Sequence, residues 1–540
     1  MKIGFVIPTE VATLGCRYLS SYLRSKGHDT RLVFIPNLIP TKDGIRYARD
    51  TKYECSENLL SLMADTFEEC DIVGFSLLAQ FHEPLADISN FLREKTNVPT
   101  IWGGVHPTQA PEICAPFADM VCIGDGEETL LETISAIQTN KPWQDVPGLL
   151  YLDKFGEPVR TPVRKPVDNL DSYPLLDFSF SDHYFVDVEN RNEEKVIPIT
   201  PANYSQLQKP YLDENGSPTF IPYKTLSSRG CPYTCTYCSM GGSTSSTFPF
   251  RKNTVDHLMS ELEFIVSNHG DIINGVSFSD DTFFSQSKSW IEEFSEEYRT
   301  RIGLPFRVLG YPLTVTPEKT KFLADAGCVH VGMGVESLCK ETLYKIYDRK
   351  TPVNKVIAAA NRLVASAVEY NTLPPTFDVI LGNPYETRDN RLESFRRLTE
   401  IHYPANYVTY AMCFFPGSDL FNKAVADGII QHDDSIHYRS WYTNDTEVEP
   451  FLKILFLCLE TNVVHQRILR ALSSSALFGL INSLFLGGNL TTEKLAIIKL
   501  LLLSIKRRGF LRSSVIALKR ISARNYKFVP FRQYPASVKD

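Results

Sequence analysis

Short apolar runs of strand type alternate with amphipathic helical runs along most of the chain, and this alternation restricts the fold more than any other feature. Lys2–Ile7 reads as a buried strand, Leu14–Ser25 as a helix ended by Gly27, and Arg31–Ile35 as the next strand. The series continues with helices at Leu59–Phe67, Glu83–Lys95 and Glu127–Gln138, and strands at Asp71–Leu77, Pro99–Gly103 and Met120–Ile123. It predicts an α/β architecture with a doubly wound parallel sheet. Such sheets bind ligands at the carboxyl ends of their strands, near the point where strand order reverses.

The residues at those ends are small or polar. They are Ser76, the run Gly103, Gly104, Val105, His106, Pro107, Thr108, and the run Gly124, Asp125, Gly126, Glu127, Glu128, Thr129. Glycines there let a ligand approach the backbone, and helix starts offer free N–H groups. Physically, these loops are either a pocket for a large ligand with a polar tail or the tight turns of an ordinary α/β domain. The segments DIVGFSLLAQ, PTIWGGVHPTQAPE and ADMVCIGDGEETLLETI closely resemble the cobalamin-binding domain fused to many radical S-adenosylmethionine (SAM) enzymes, over about residues 1–140. The resemblance implies a Rossmann-like domain in which Ser76, Gly103, Gly104, His106, Thr108, Gly124, Gly126 and Glu127 lie around the corrin's nucleotide tail. The Asp-x-His-x-x-Gly loop that gives cobalt a histidine in cobalamin mutases is absent. His28, in a Lys-Gly-His-Asp turn, and His106 therefore read as structural residues, and the resemblance implies cobalamin with no protein histidine on cobalt.

Residues 141–222 are rich in Pro, Asn, Asp and Tyr and keep no sustained period. They read as a linker that wraps between domains, because ~80 structureless residues are unusual in a compact protein. Cys231, Cys235 and Cys238 follow, in Arg-Gly-Cys-Pro-Tyr-Thr-Cys-Thr-Tyr-Cys. Cysteine thiolates hold iron–sulfur clusters, and three of them leave one iron of a cubane open to a small molecule. Zinc or unrelated thiols are the alternatives, but structural zinc takes four ligands and no Cys-x2-Cys or His-x3-His partner lies nearby. The Cys-x3-Cys-x2-Cys spacing, with Tyr237 before the third cysteine, resembles the radical SAM signature. That resemblance implies a [4Fe-4S] cluster whose open iron is chelated by SAM, and reductive cleavage to a 5′-deoxyadenosyl radical.

A second alternation follows the cysteines. A helix at 254–268 precedes strands at Gly275–Ser279, Phe306–Leu309, Val329–Val335, Thr376–Leu381 and Tyr407–Phe414. Helices at Pro317–Ala326, Val353–Ala367 and Asp389–Ile401 separate the later ones. With the short strand just before the cysteines, the count predicts a partial (β/α)6 TIM barrel over residues 223–430, with its site at the carboxyl ends of the strands. Asp280, Asp281 and Glu336 stand at such ends, Arg349 follows a short helix and could pair with a carboxylate, and the turn Gly382–Thr387 follows the strand Thr376–Leu381. All resemble SAM-contacting positions of the cobalamin-type radical SAM family, although Glu386 and Thr387 read equally well as a helix cap. Cys328, Cys339 and Cys413 read as packing residues.

Composition matters most at the end of the chain. Residues 451–540 carry 15 Lys and Arg against 3 Asp and Glu, so a net charge of −7 hides a tail of +12 on a body of −19. The overall charge excludes a general nucleic-acid binder. Residues 431–540 read as a helical domain, with apolar stretches at Leu452–Leu459, Val464–Leu472, Leu477–Leu486 and Leu495–Ile505, then Lys506-Arg507-Arg508. Such helices either pack over the barrel or lie on an anionic lipid surface. No apolar run approaches ~20 residues, and twelve scattered cysteines suit a reducing cytoplasm, with peripheral membrane contact through the tail as a variant.

The two resemblances together imply a cobalamin-dependent radical SAM enzyme that methylates an unactivated carbon or phosphorus centre of an organic substrate, supplied with electrons by a donor such as flavodoxin or ferredoxin. In the implied mechanism one SAM methylates cob(I)alamin, a second yields the radical that takes a hydrogen from substrate, and the substrate radical accepts the methyl group. The alternatives are a cyclase or oxidoreductase of the same architecture without methyl transfer and, further off, a non-catalytic cobalamin- or SAM-sensing module.

Overall fold

The computed structural model describes residues 1–36, 38, 41–42, 45–46, 55–188, 193–208, 210–212, 218–242, 245–430, 448–474, 478–479 and 481. The apolar stretches beyond Ile481 and the Lys506-Arg507-Arg508 run lie outside the described residues.

The amino-terminal sheet is built from β1 (Lys2–Ile7), β2 (Asp29–Phe34), β3 (Ile72–Ser76), β4 (Thr100–Gly103), β5 (Met120–Cys122), β6 (Leu149–Leu152), β7 (Pro158–Arg160), β8 (His183–Asp187) and β9 (Lys195–Pro198). Their spatial order is 9-8-2-1-3-4-5-6-7. From β8 through β2, β1, β3 and β4 to β5 every pairing is parallel, and β9, β6 and β7 are antiparallel additions at the two edges. Parallel strands covered by helices on both faces bury nearly every residue, which is why β1 is apolar and buried from Ile3 to Ile7. The covering helices include α1 (Gly15–Ser25), α2 (Glu57–Phe67), α3 (His82–Thr96) and α4 (Glu127–Gln138). Strand order reverses between β1 and β3, so the crevice of this sheet opens beside Ser76.

Residues 141–222 hold more structure than their composition predicts. Four of the nine strands come from them, and Leu176, Phe178, Ile199 and Tyr204 join the core cluster that runs from the first sheet into the second. Phe178 stands edge-on to Tyr204 and to Tyr223, with centroids 5.1 and 5.4 Å away. Asp177 is 6% exposed and accepts hydrogen bonds from Ser20 Oγ at 2.5 Å and Ser179 Oγ at 2.7 Å, with His183 Nε2 at 3.2 Å. Burial raises its pKa, but those bonds outweigh burial and hold the carboxyl well below the usual range. Its share of stability is therefore present above the unfolded pKa of about 3.9 and fades as pH falls below it. Asp177→Ala will lower the unfolding free energy by about 3 kcal/mol, read as a drop in urea midpoint at constant slope.

The second sheet contains β10 (Pro222–Thr225), β11 (Gly275–Phe278), β12 (Phe306–Gly310), β13 (Cys328–Glu336), β14 (Thr376–Leu381) and β15 (Asn406–Ala411), all parallel and in sequence order. Helices α5 (Val255–His269), α6 (Lys288–Arg301), α7 (Pro317–Asp325), α8 (Val353–Glu369) and α9 (Arg388–Leu398) accompany them, forming a partial barrel. After α10 (Asp419–Ala426), α11 (Pro450–Thr461) packs beside β15 and α9, with Phe456 edge-on to Phe395 at 5.0 Å. Phe451, Leu452, Leu455, Phe456, Cys458 and Leu459 are buried, so the barrel covers the apolar side of α11. A last described helix, α12 (Gln466–Leu472), is tied to α9 by Arg470 Nη2 donating to Thr399 O at 3.0 Å. Among the described residues no helix is long and apolar enough to cross a membrane.

Candidate cofactor site

The cysteine loop leaves the short ladder of Ser228–Arg229 against Arg251–Lys252. Gly230 starts it at φ +81°, where a Cβ would collide with the carbonyls of Phe248 and Pro249, so only glycine fits. Cys238 N donates to Cys235 O at 3.1 Å, and Met240 N points at Cys238 Sγ from 3.4 Å. Burial pushes the Cys231 thiol up to about 11 and the Cys238 thiol up to about 12, and Cys235 moves the same way. A cluster would bind these sulfurs as thiolates, so binding would release their protons. The set fits an iron–sulfur cluster: three sulfurs from one loop, with a cation, Arg349 Nη1, 3.9 Å from Cys235 Sγ.

Arg349 joins the parts of the site. Nη1 donates to Tyr237 Oη at 3.0 Å, Nη2 donates to Gly334 O at 2.5 Å, and Glu336 Oε1 lies 3.9 Å from Nη1. Its guanidinium sits 4.5 Å above the ring of Tyr311, which stacks on Tyr233 with centroids 3.5 Å apart. Burial pushes Glu336 up to about 7, although Arg349 pulls the other way. Glu336 also has φ +64°, an uncommon backbone for a carboxylate residue at a strand end. Tyr233 and Tyr311 carry no motif; only the position of Tyr311 just past β12 marks it.

The two aspartates after β11 separate. Asp280 is fully buried and accepts from Ser227 N at 3.1 Å, Ser227 Oγ at 2.6 Å and Ser228 Oγ at 2.5 Å, so it clamps the entry to the cysteine loop. Asp281 is exposed, yet near enough to Cys231 and Cys238 for its charge to act on both. Neighbouring protein atoms and the adjacent Asp280 raise its pKa. In the turn after β14, Thr387 is the N-cap of α9, accepting from Asn390 N. Glu386 is buried and takes a 2.8 Å hydrogen bond from Thr342 Oγ1.

On the amino-terminal sheet, Ser76 and Gly103 are register partners at adjacent strand ends. Gly104 has φ +106° and lies against Leu77 O, so a side chain there would be strained. Thr108 Oγ1 donates to Gly104 O at 2.7 Å and accepts from Gly124 N at 3.0 Å, joining the two glycine loops. His106 is turned inward and only 1% exposed, with Nε2 3.2 Å from His82 Nδ1. Burial pushes it down to about 3. With Cys114 these histidines form a compact buried group of donor atoms. His28 precedes β2, at the end of the sheet opposite the glycine loops. Gly126 caps α4, and Glu127 at its first turn is spent on Arg229, Oε1 to Nη2 at 2.8 Å.

That ion pair belongs to a junction that residue patterns leave unmarked. Asp125 Oδ2 lies 2.6 Å from Arg251 Nη1, and Arg229 rests on the rings of Tyr18 and Tyr173. Gln109 Nε2 donates to Ser239 O. The loops after β4 and β5 therefore touch the cysteine loop directly.

The family described as the radical SAM superfamily matches residues 225–399, and the B12 binding domain matches residues 2–134. The chain is similar to an uncharacterized methyltransferase of Pyrococcus horikoshii, 23% identical over 453 residues that span 83% of this chain and 84% of that protein. It is also similar to the anaerobic magnesium-protoporphyrin IX monomethyl ester cyclase of Rubrivivax gelatinosus, 23% identical over 427 residues, 75% of this chain and 65% of the cyclase. Among solved structures, the cobalamin-dependent SAM radical enzyme OxsB, with aqua-cobalamin and SAM bound, shares the fold at TM-score 0.64 and 14% identity, covering 97% of this chain and 82% of that one.

Proposed function

From a chain that joins a B12-binding domain at residues 2–134 to a radical SAM domain at 225–399, we infer a cobalamin-dependent radical SAM enzyme acting on an organic substrate with an external electron donor. The observation that carries this reading is the contact of the glycine loops of one sheet with the cysteine loop of the other, through Gln109–Ser239 and Glu127–Arg229. When bound, the [4Fe-4S] cluster with SAM supplies a 5′-deoxyadenosyl radical, and cobalamin supplies a methyl or electron carrier. Cys231, Cys235 and Cys238 would hold the cluster. Glu336, Tyr237, Asp281 and Arg349 would line the SAM side, and Ser76, Gly103, Gly104, Thr108, Gly124 and Gly126 the cobalamin side. His106 and Asp280 would support these surfaces from behind, since both are buried.

Of the two outcomes, ring formation or oxidation without methyl transfer is the better supported, by the likeness to the cyclase of Rubrivivax gelatinosus. The methyltransferase that spans more of the chain supports methyl transfer as the second reading. Methyl-labelled SAM separates them. Label in product establishes methyl transfer, whereas 5′-deoxyadenosine with unlabelled product establishes the other, and absence of any SAM cleavage overturns the enzyme reading.

Cobalt coordination gives a separate check. His28 stands at the wrong end of its sheet and His106 faces His82. His28→Ala and His106→Ala will leave the cob(II)alamin resonance of the holoprotein unchanged. Loss of a nitrogen hyperfine pattern in either variant would identify a protein ligand.

A further inference from the structure

The concave side of the barrel is open. Along β12, Phe306, Val308 and Gly310 are buried, while Arg307 and Leu309 are only half-buried. Along β14, Phe377 and Val379 are buried, while Thr376, Asp378 and Ile380 are half-buried. The buried phenylalanines and valines belong to the core shared with the outer helices, so the half-buried residues line the inner face. Branched side chains fill the interior of a closed eight-stranded barrel, whereas these six strands leave theirs accessible.

Strand register sets Lys224, Ser277, Arg307 and His330 side by side across that face, with Leu309, Gly332 and Thr376 in the next row and Gly334 beside Asp378 above. Lys224 has a partner, Glu10 Oε2 at 2.9 Å. His330 is fixed by Tyr211 Oη at 2.7 Å and Thr376 Oγ1 at 2.9 Å, and burial pushes it down to about 3, so it brings no charge. Arg307 is different. Nη1 reaches Ser277 Oγ only at 3.4 Å, the guanidinium lies 5.3 Å from the Tyr211 ring centroid, and the buried Nε has no hydrogen-bond partner. Among the described residues Arg307 makes no ion pair. Asp378 lies near enough for Arg307 to act on it as a positive charge, but its hydrogen-bond partner is Tyr410 and it makes no contact ion pair with Arg307.

A half-buried guanidinium with no anion at contact distance keeps donors free for a ligand, and its planar fork matches carboxylate and phosphoryl oxygens two at a time. Gly332 stands next to it in the sheet, where a Cβ would press on Leu309 and reach Arg307 Nη2 at an ordinary contact distance of 4.0 Å. Glycine inside a strand marks a close approach of this kind. We propose that Arg307 receives an oxyanion of the substrate on the open face of the barrel, which makes the substrate an anionic organic molecule. This rests on the barrel being the radical site, and it names the substrate class that site selects.

The test uses the anaerobically reconstituted full chain and three small probes, propionate, methylphosphonate and neutral propionamide, with binding read by saturation-transfer NMR. At least one anion should bind saturably and propionamide should not. Anion affinity should fall about tenfold or more in Arg307→Gln and less in Arg307→Lys, while SAM affinity and cluster absorbance stay unchanged. Preference between the two anions separates a carboxylate from a phosphoryl group. Equal anion binding in Arg307→Gln, equal binding of propionamide, or no saturable anion binding overturns the proposal. A parallel fall in SAM affinity does so too, because Arg307 would then belong to SAM. A chain that binds the anion through Arg307 but forms no 5′-deoxyadenosine keeps this inference and discards the radical SAM reading.

Discussion

Replacing Cys231, Cys235 and Cys238 together by alanine will remove iron from the anaerobically reconstituted protein, from about four atoms per chain to a trace, with loss of the broad absorption near 400 nm. The other nine cysteines cannot compensate. Cys16, Cys70, Cys114, Cys122, Cys328, Cys339 and Cys458 are buried in packed regions outside the loop. Cys55 and Cys413 are half-buried and far in sequence from the loop. The protein should stay folded, because Cys231 and Cys238 are only partly buried and the loop is anchored by Asp280 and Gly230. A triple variant that still binds a full complement of iron would show that the cluster lies elsewhere.

Arg349→Ala should have the second-largest effect. It deletes at once the donor to Tyr237, the donor to Gly334 and the cation nearest Cys235 and Glu336. Breaking one partner of a buried charged group costs about 3–5 kcal/mol, because the other is left buried and uncompensated. If that loss falls on the SAM complex, 5′-deoxyadenosine formation drops at least about 100-fold. Arg349→Lys should recover little, since an ammonium cannot span Tyr237 and Gly334 while lying flat on Tyr311. The two variants should keep their iron and lose SAM affinity, which separates positioning of SAM from loss of the cluster. A wild-type rate in Arg349→Ala would remove this residue from the site.

How much of this was legible varies with the range of the interactions. Helix α4 and strand β1 have the boundaries that their residues predict, because burial on both sides of a parallel sheet leaves long apolar runs. Strands β6 to β9 went unread because they are short and lie toward sheet edges, so burial imposes no period; in β7 only Val159 is even half-buried. At the site, Arg349 lies beside a carboxylate, Glu336, but its contacts with Tyr237 and Cys235 span more than a hundred residues and no local pattern encodes them. Asp280 looks like a ligand-facing strand-end carboxylate, yet it is saturated by two serines 52 and 53 residues earlier in the chain. Arg229 and Arg251 form the junction with Asp125 and Glu127, and neither stands in a motif.

The way residues 141–222 are woven into the first sheet bears on how such enzymes can be recombined. A chimera cut at residue 140 would strip β6 from β5 and β8 from β2, baring the backbone of two parallel strands at once. Exposed strand edges of that kind recruit other chains. It would also remove Asp177, whose backbone carbonyl and carboxylate hold Arg17 and Ser20 of α1. A graft that keeps residues 1–208 together carries its own edges and its own mortar. The exchangeable unit in this architecture is therefore larger than the ligand-binding unit it contains.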